Sequence, residues 1–160
     1  MLQHYFTTMK RNKENIVIDN RKARFNYTFL DEYQAGIVLQ GCEIKSIRNN
    51  DVNMSDSYCT FDDGELFVKN IHISPYKNSG FSYKDYDPKR DRKILLTKRE
   101  LRKLDKAVKT KGNTIVPAKM YINEKGLVKL TICLAKGKHN YDKSQAIKER
   151  DLSREMRDFE

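Results

Sequence analysis
The stretch "TIVPAKMYINEKGLVKLTICLAKG", Thr114 to Gly137, decides the fold. At its centre Lys125-Gly126 reads as a turn, because glycine takes the positive φ that tight turns need. Beyond the turn Val128, Leu130, Ile132 and Leu134 alternate with Lys129 and Thr131. A period of two puts the first set on one face of a strand and the second on the other. The stretch is therefore a hairpin, and its second arm is a half-buried antiparallel strand.

Working outward, "SYCTFDDGELFVKNIHISPY" (Ser57–Tyr76) is a second hairpin, turning at Asp63-Gly64. "FNYTFL" (Phe25–Leu30) and "AGIVLQ" (Ala35–Gln40) read as two further short strands. "CEIKSIRN" (Cys42–Asn49) predicts a short helix with Ile44 and Ile47 on its apolar side. "TKRELRKLDKAVKTKG" (Thr97–Gly112) is the clearest helix. Thr97 and Glu100 form a capping box, Leu101, Leu104 and Val108 make the buried stripe, and Gly112 ends it. "KNSGFSYKDYDPKRDRK" (Lys77–Lys93) has no period and reads as a loop. Its aromatics either stack on RNA or fold back onto the barrel.

About six short strands with two or three helices predict a mainly β protein. The expected form is a six-stranded antiparallel oligonucleotide-binding-type barrel with flanking helices and a C-terminal tail. Residues 1–19 read as a flexible arm, 20–141 as the barrel domain and 142–160 as the tail. Met9, opening "MKRNKEN", offers a second start. The tail's apolar residues, Ala146, Ile147, Leu152, Met156 and Phe159, make too weak a stripe for a stable lone helix. The tail is expected to be disordered alone and to fold on a partner.

The chain of 160 residues holds 32 basic and 22 acidic side chains, a net charge of +10. Such an excess points to a polyanion, since each neutralised phosphate releases counterions. No apolar run is long enough to cross a membrane as a helix, and the N-terminus lacks the order of a signal peptide. Cys42, Cys59 and Cys133 form no CxxC and suit free thiols in a reducing cytosol rather than a zinc site. No cofactor is implied. Neither a phosphate-binding P-loop nor a GxSxG or HExxH signature is present, which argues against an enzyme. The carboxylates Asp62, Asp63 and Glu65 suit a hairpin turn better than a metal.

Three segments carry recognition chemistry. In "AKGKHNYDK" (Ala135–Lys143), Lys136 and Lys138 supply charge, and Gly137, without a Cβ, lets backbone approach a phosphate. Tyr141 offers a ring for stacking on a base. In "NRKAR" (Asn20–Arg24), Asn20 can read a base edge or bond a phosphate beside Arg21 and Lys22. Glu43, beside Lys45, suits the ordering of cationic side chains better than acid–base work. From these residues alone, a generic RNA-binding barrel and a metal-dependent RNA-processing enzyme both remain open.

The motifs "NRKARFNY", "AGIVLQGCEIKSIR", "SDSY", "GELFVKNIHISPY", "DPKRDRKILLTKREL", "GNTIVPAKMY" and "LAKGKHNYDKS" occur in one order. Over about residues 13–155 the chain resembles the SmpB or SsrA-binding family, the protein partners of tmRNA. The resemblance implies a cytoplasmic, monomeric adaptor of trans-translation without catalytic residues. It would bind the tRNA-like domain of tmRNA, support its alanylation and deliver it to stalled ribosomes. Elongation factor Tu and alanyl-tRNA synthetase would be partners through the tmRNA. The RNA surface would comprise Asn20, Arg21, Lys22, Gln34, Glu43, Lys45, Lys136, Gly137 and Lys138. Tyr141, Asp142 and Lys143 would enter the decoding centre of the 30S subunit, Tyr141 stacking on an rRNA base. The tail, with Ile147 and Met156 among its apolar positions, would become helical in the empty mRNA channel.

The chain departs from the family pattern in three respects. Gln34 stands where a glutamate is common. His139 and Ser144 replace a lysine and an arginine. From Lys143 to Glu160 five basic residues meet five acidic ones, whereas family tails tend to be basic.

Overall fold
The computed structural model describes residues 16–76, 85–138 and 147–154. Two long strands lead the architecture, β8 (Asn113–Ile122) and β9 (Val128–Gly137), paired from Asn113↔Lys136 to Ile122↔Val128. Gly126, at φ +80°, makes the turn expected between them. β9 also pairs along β2 (Tyr27–Ile37), and β8 meets β4 (Tyr58–Asp62) at Ile115↔Cys59. β4 continues into β5 (Glu65–Lys69), which pairs β7 (Arg92–Leu95), and β7 returns to β2. The circuit β8-β4-β5-β7-β2-β9 closes on itself, so the six-stranded antiparallel barrel is present as expected.

β1 (Val17–Asp19) joins β8 outside the ring, so the last residues of the expected arm lie in the sheet. A separate ladder pairs β3 (Val52–Asn53) with β6 (His72–Ile73). The core holds Leu66, Ile71, Ile94, Ile115, Met120 and Leu130, all essentially without solvent contact. Each such side chain contributes about 1.5–3 kcal/mol by leaving water. Cys59 and Cys133 are buried and Cys42 half-buried, all with free thiols. Among the described residues no helix is long and apolar enough to cross a membrane.

Among the described residues three helices flank the strands, α1 (Arg21–Asn26), α2 (Gly41–Arg48) and α3 (Lys98–Val108), and a further helical stretch covers residues 147–154. α2 and α3 fall where expected. In α3 the Thr97–Glu100 capping box is complete, and Leu104 is fully buried while Leu101 and Val108 are half-buried.

Other readings change. "FNYTFL" and "AGIVLQ" are not two strands: one strand of 11 residues runs from Tyr27 to Ile37, and Phe25 belongs to α1. The outer face of β9 is more covered than a half-buried strand implies. Ala135 packs with Ala23 of α1 and Val116, and Thr131 is closed over by neighbouring polar side chains. Arg92 and Lys93, expected in the loop, begin β7. Asp62 and Asp63 sit exposed at the β4–β5 turn, and Glu65 pairs with Lys93 at 3.1 Å. Among the described residues no three metal-binding side chains gather.

Candidate nucleic-acid interface
α1 owes its position to Asn20. Pro117 cannot donate to a ladder, and the β8–β9 register slips between Pro117 and Lys119. The carbonyls there are taken by Asn20: its backbone N–H donates to Ala118 O (2.9 Å), and its Nδ2 to Pro117 O (2.8 Å) and Met54 O (3.0 Å). Its Oδ1 accepts from Ala23 N–H (3.3 Å), capping α1. Asn20 is 3% exposed, so its amide is committed to the protein. Its side chain places α1 and has no polar atom left to read a base.

What α1 presents is charge. Arg21, Lys22 and Arg24 are exposed. Lys22 Nζ donates to Asp56 (2.7 Å), and Arg24 pairs with Asp19 (3.1 Å) while lying 5.9 Å from the Phe29 ring. Among the described residues Arg21 has no ion-pair partner. The end of β9 lies alongside: Tyr27 pairs Gly137, and Lys138 N–H donates to Asn26 O at 3.0 Å. Lys136 and Gly137 are exposed there. A Cβ on Gly137 would meet nothing within 4 Å and its φ is not in the left-handed region, so the fold does not require glycine.

A second patch lies on the outer face of β2, β9 and β8. Gln34 Oε1 accepts from Tyr121 Oη–H (2.8 Å) and Thr131 Oγ1–H (2.9 Å), and its Nε2 donates to Glu32 (3.3 Å). An amide suits this place, because a carboxylate at 34 would face Glu32. Beside it Gly36 pairs with Leu95, whose Cβ would lie 3.2 Å from a Cβ on residue 36. Leu95 is 50% exposed, a bare apolar side chain within a polar surface. Lys119, 5.8 Å from the Tyr121 ring, and Lys129, which pairs with Gly36, add charge. Sequence reasoning misses Leu95 and Tyr121. In "KILL" every apolar residue looks like core, but alternation along β7 buries Ile94 and turns Leu95 outward with Lys93, over Gly36.

Glu43 is buried and holds α2 to the barrel. Its Oε1 accepts from Gln40 N–H (2.8 Å) and from Arg90 Nη2–H, and its Oε2 accepts from Arg92 Nε–H (2.7 Å). Arg92, itself fully buried, donates also to Ile71 O (2.7 Å) and Pro88 O (3.0 Å). Tyr86 folds back here, donating to Ile73 O at 2.9 Å. Burial pushes the Glu43 carboxyl up, but the Arg90, Gln40 and Arg92 bonds outweigh it and hold it below its ordinary value. Burial and then Glu43 push the Tyr86 hydroxyl up to about 12. Lys45 points outward, 5.2 Å from the Tyr76 ring.

The structure thus places α1, the helix of Arg21 and Lys22, alongside the end of β9 that carries Lys136, Gly137 and Lys138, and ties α2, with Lys45, to β6 and the 86–92 segment instead. Phe81 and Tyr83 lie outside the described residues, as do His139, Tyr141, Asp142, Lys143, Ser144 and Met156. Residues 147–154 form a helix with every side chain exposed, Ile147 included. Its Arg150 guanidinium stands 5.3 Å from the Phe25 ring of α1.

A family model described as SmpB protein matches residues 17–159. An SsrA-binding protein of Phocaeicola vulgatus is 54% identical over 141 residues, covering 88% of this chain and 93% of that protein. One from Christiangramia forsetii is 49% identical over 144 residues, covering 90% of each. A solved structure described as "tmRNA-SmpB: a journey to the center of the bacterial ribosome" contains a chain 44% identical to this one. It aligns with a TM-score of 0.66 over 82% of this chain and 94% of that one.

Proposed function
The chain belongs to the SmpB family, and from that premise we propose that it is the RNA-binding adaptor of trans-translation. It binds the tRNA-like domain of tmRNA and takes it to stalled ribosomes; it is not an enzyme. The observation that carries this reading is the joining of α1 to the end of β9, through Lys138 N–H and Asn26 O. That bond brings the helix that carries Arg21 and Lys22 beside the end of β9, which carries Lys136 and Lys138, at the point where the tail begins. RNA held there leaves the tail free to act elsewhere.

The finer roles follow from the same arrangement. The Gln34–Leu95 patch adds an apolar contact and the Tyr121 ring to the tmRNA surface. Tyr141, Asp142 and Lys143 enter the decoding centre, and the tail, with Ile147 and Met156, docks its exposed helical stretch in an mRNA channel that holds no message. Alanyl-tRNA synthetase and elongation factor Tu are met through the bound tmRNA, in the cytoplasm.

A translation system with ribosomes stalled on a message lacking a stop codon tests the division of labour. The full chain is expected to restore tagging. A chain ending at Asn140 should bind tmRNA as well as the full chain but restore no tagging. Equal rescue by both would refute the role given to the tail.

A further inference from the structure
α3 carries cations that the surface described above does not use. At 100° per residue, Lys98, Arg99, Arg102 and Lys106 fall on the side away from Leu104, and all four are exposed. Two neighbours are matched within the protein: Lys103 lies 3.5 Å from Asp31 and Lys109 lies 3.7 Å from Asp105. Among the described residues these four have no carboxylate within ion-pair distance.

Two further observations separate this face from an ordinary solvated one. Lys98 and Arg99 occupy the first turn of α3, where the helix dipole disfavours positive charge. Helix stability alone would place acidic residues there. The face also does not end with the helix. Gly112, at φ +89°, closes the turn after α3, and a Cβ there would lie 3.8 Å from Lys136 Cε. Lys136 therefore lies beside the turn that follows α3, and Lys138 beyond it is bonded to α1.

We propose that the exposed face of α3 is a phosphate-binding surface continuous with Lys136–Lys138, and that its occupant is the backbone of the same tRNA-like RNA. This rests on the function proposed above and extends it. Continuity through Lys136 selects that RNA over ribosomal RNA, because one strand path can follow both without leaving the protein.

The test uses the full chain and a transcript of the tRNA-like domain, titrated across a range of salt. Arg99→Gln with Arg102→Gln removes two cations from the face. Glutamine is a good helix former, and losing charge from the first turn should leave the thermal midpoint unchanged or raised. Arg48→Gln with Lys89→Gln makes the same change in net charge at the end of α2 and in the 86–92 segment, where both side chains are exposed and outside the surface. The α3 pair is expected to flatten the salt slope of binding by about two, near 0.9 for each phosphate no longer neutralised, and to weaken binding about tenfold or more at physiological salt. The control pair should leave the slope as in the parent. An unchanged slope for the α3 pair overturns the proposal, including where only binding to the small ribosomal subunit suffers. An equal effect of both pairs overturns it too, as it would show only net charge. A parent chain that prefers no RNA would refute the proposed function itself, whereas a selective parent with an insensitive α3 pair refutes this inference alone.

Discussion
Asn20 and Glu43, both buried, spend their polar atoms inside the protein. Asn20 spends both amide hydrogens on buried carbonyls and its oxygen on a helix cap. Asn20→Ala should cost about 2–4 kcal/mol, the sum of a lost cap and carbonyls left without donors. Asn20→Asp is the sharper variant. Aspartate caps as well as asparagine, but it would turn a carboxylate oxygen toward the oxygens of Met54 and Pro117. We expect it to be no better than alanine in thermal unfolding, and near-parent stability would contradict the account. At Glu43, Glu43→Gln leaves two guanidinium groups, one fully buried, without their counter-charge. Breaking a buried pair costs about 3–5 kcal/mol. The pH dependence has a definite sign. The folded carboxyl titrates below its ordinary value of 4.5, so its contribution is complete above that pH and is lost as pH falls through the lower folded value. The parent should therefore lose stability in acid along a limb that Glu43→Gln largely lacks, as equilibrium unfolding at pH 7 and pH 3 would show.

At the scale of elements, the end of β9 separates fold from function. Gly137→Ala should change stability by no more than about 0.5 kcal/mol, since a Cβ there meets no neighbour. It should nonetheless weaken binding to the tRNA-like domain, measured by titration at fixed salt. A large fall in the unfolding midpoint would show instead that the glycine serves the fold. Elements also show what the sequence reveals. The two hairpins and α3 are legible because their periods are clean and their turns carry Asp-Gly and Lys-Gly. α1 is not, because six residues are too short for a helical period; its one signal is an asparagine before an otherwise basic run. β2 reads as two strands because Asp31 and Glu32 interrupt its apolar pattern. In the structure Glu32 faces outward beside Gln34, and Asp31, on the side of Tyr33, accepts from Tyr33 Oη–H at 2.8 Å. Arg92 reads as loop because pattern reading counts every arginine as exposed, and a buried ion pair leaves no mark in a sequence. Gln34 is identified by resemblance, but the patch around it needs the register of three strands.

Over the whole molecule, charge is unevenly divided. The chain carries +10, yet residues 143–160 sum to zero. The barrel thus holds nearly all the excess charge, and its binding to tmRNA should weaken steeply with salt. The ribosomal step, carried by the tail, should rely on packing and hydrogen bonds and show a shallower slope; equal slopes for the two steps would contradict this division. The central claim is that the barrel recognises one RNA fold and does not merely attract phosphate. A competition titration at about 0.15 M salt tests it most directly, because affinities without stated salt cannot be compared. Labelled tRNA-like domain would be displaced by itself, by ordinary tRNA and by an unstructured RNA of equal length. The account predicts that only the first competes well, for the full chain and for a chain ending at Asn140 alike. Equal competition by all three would contradict it and leave a basic barrel that binds RNA without choice.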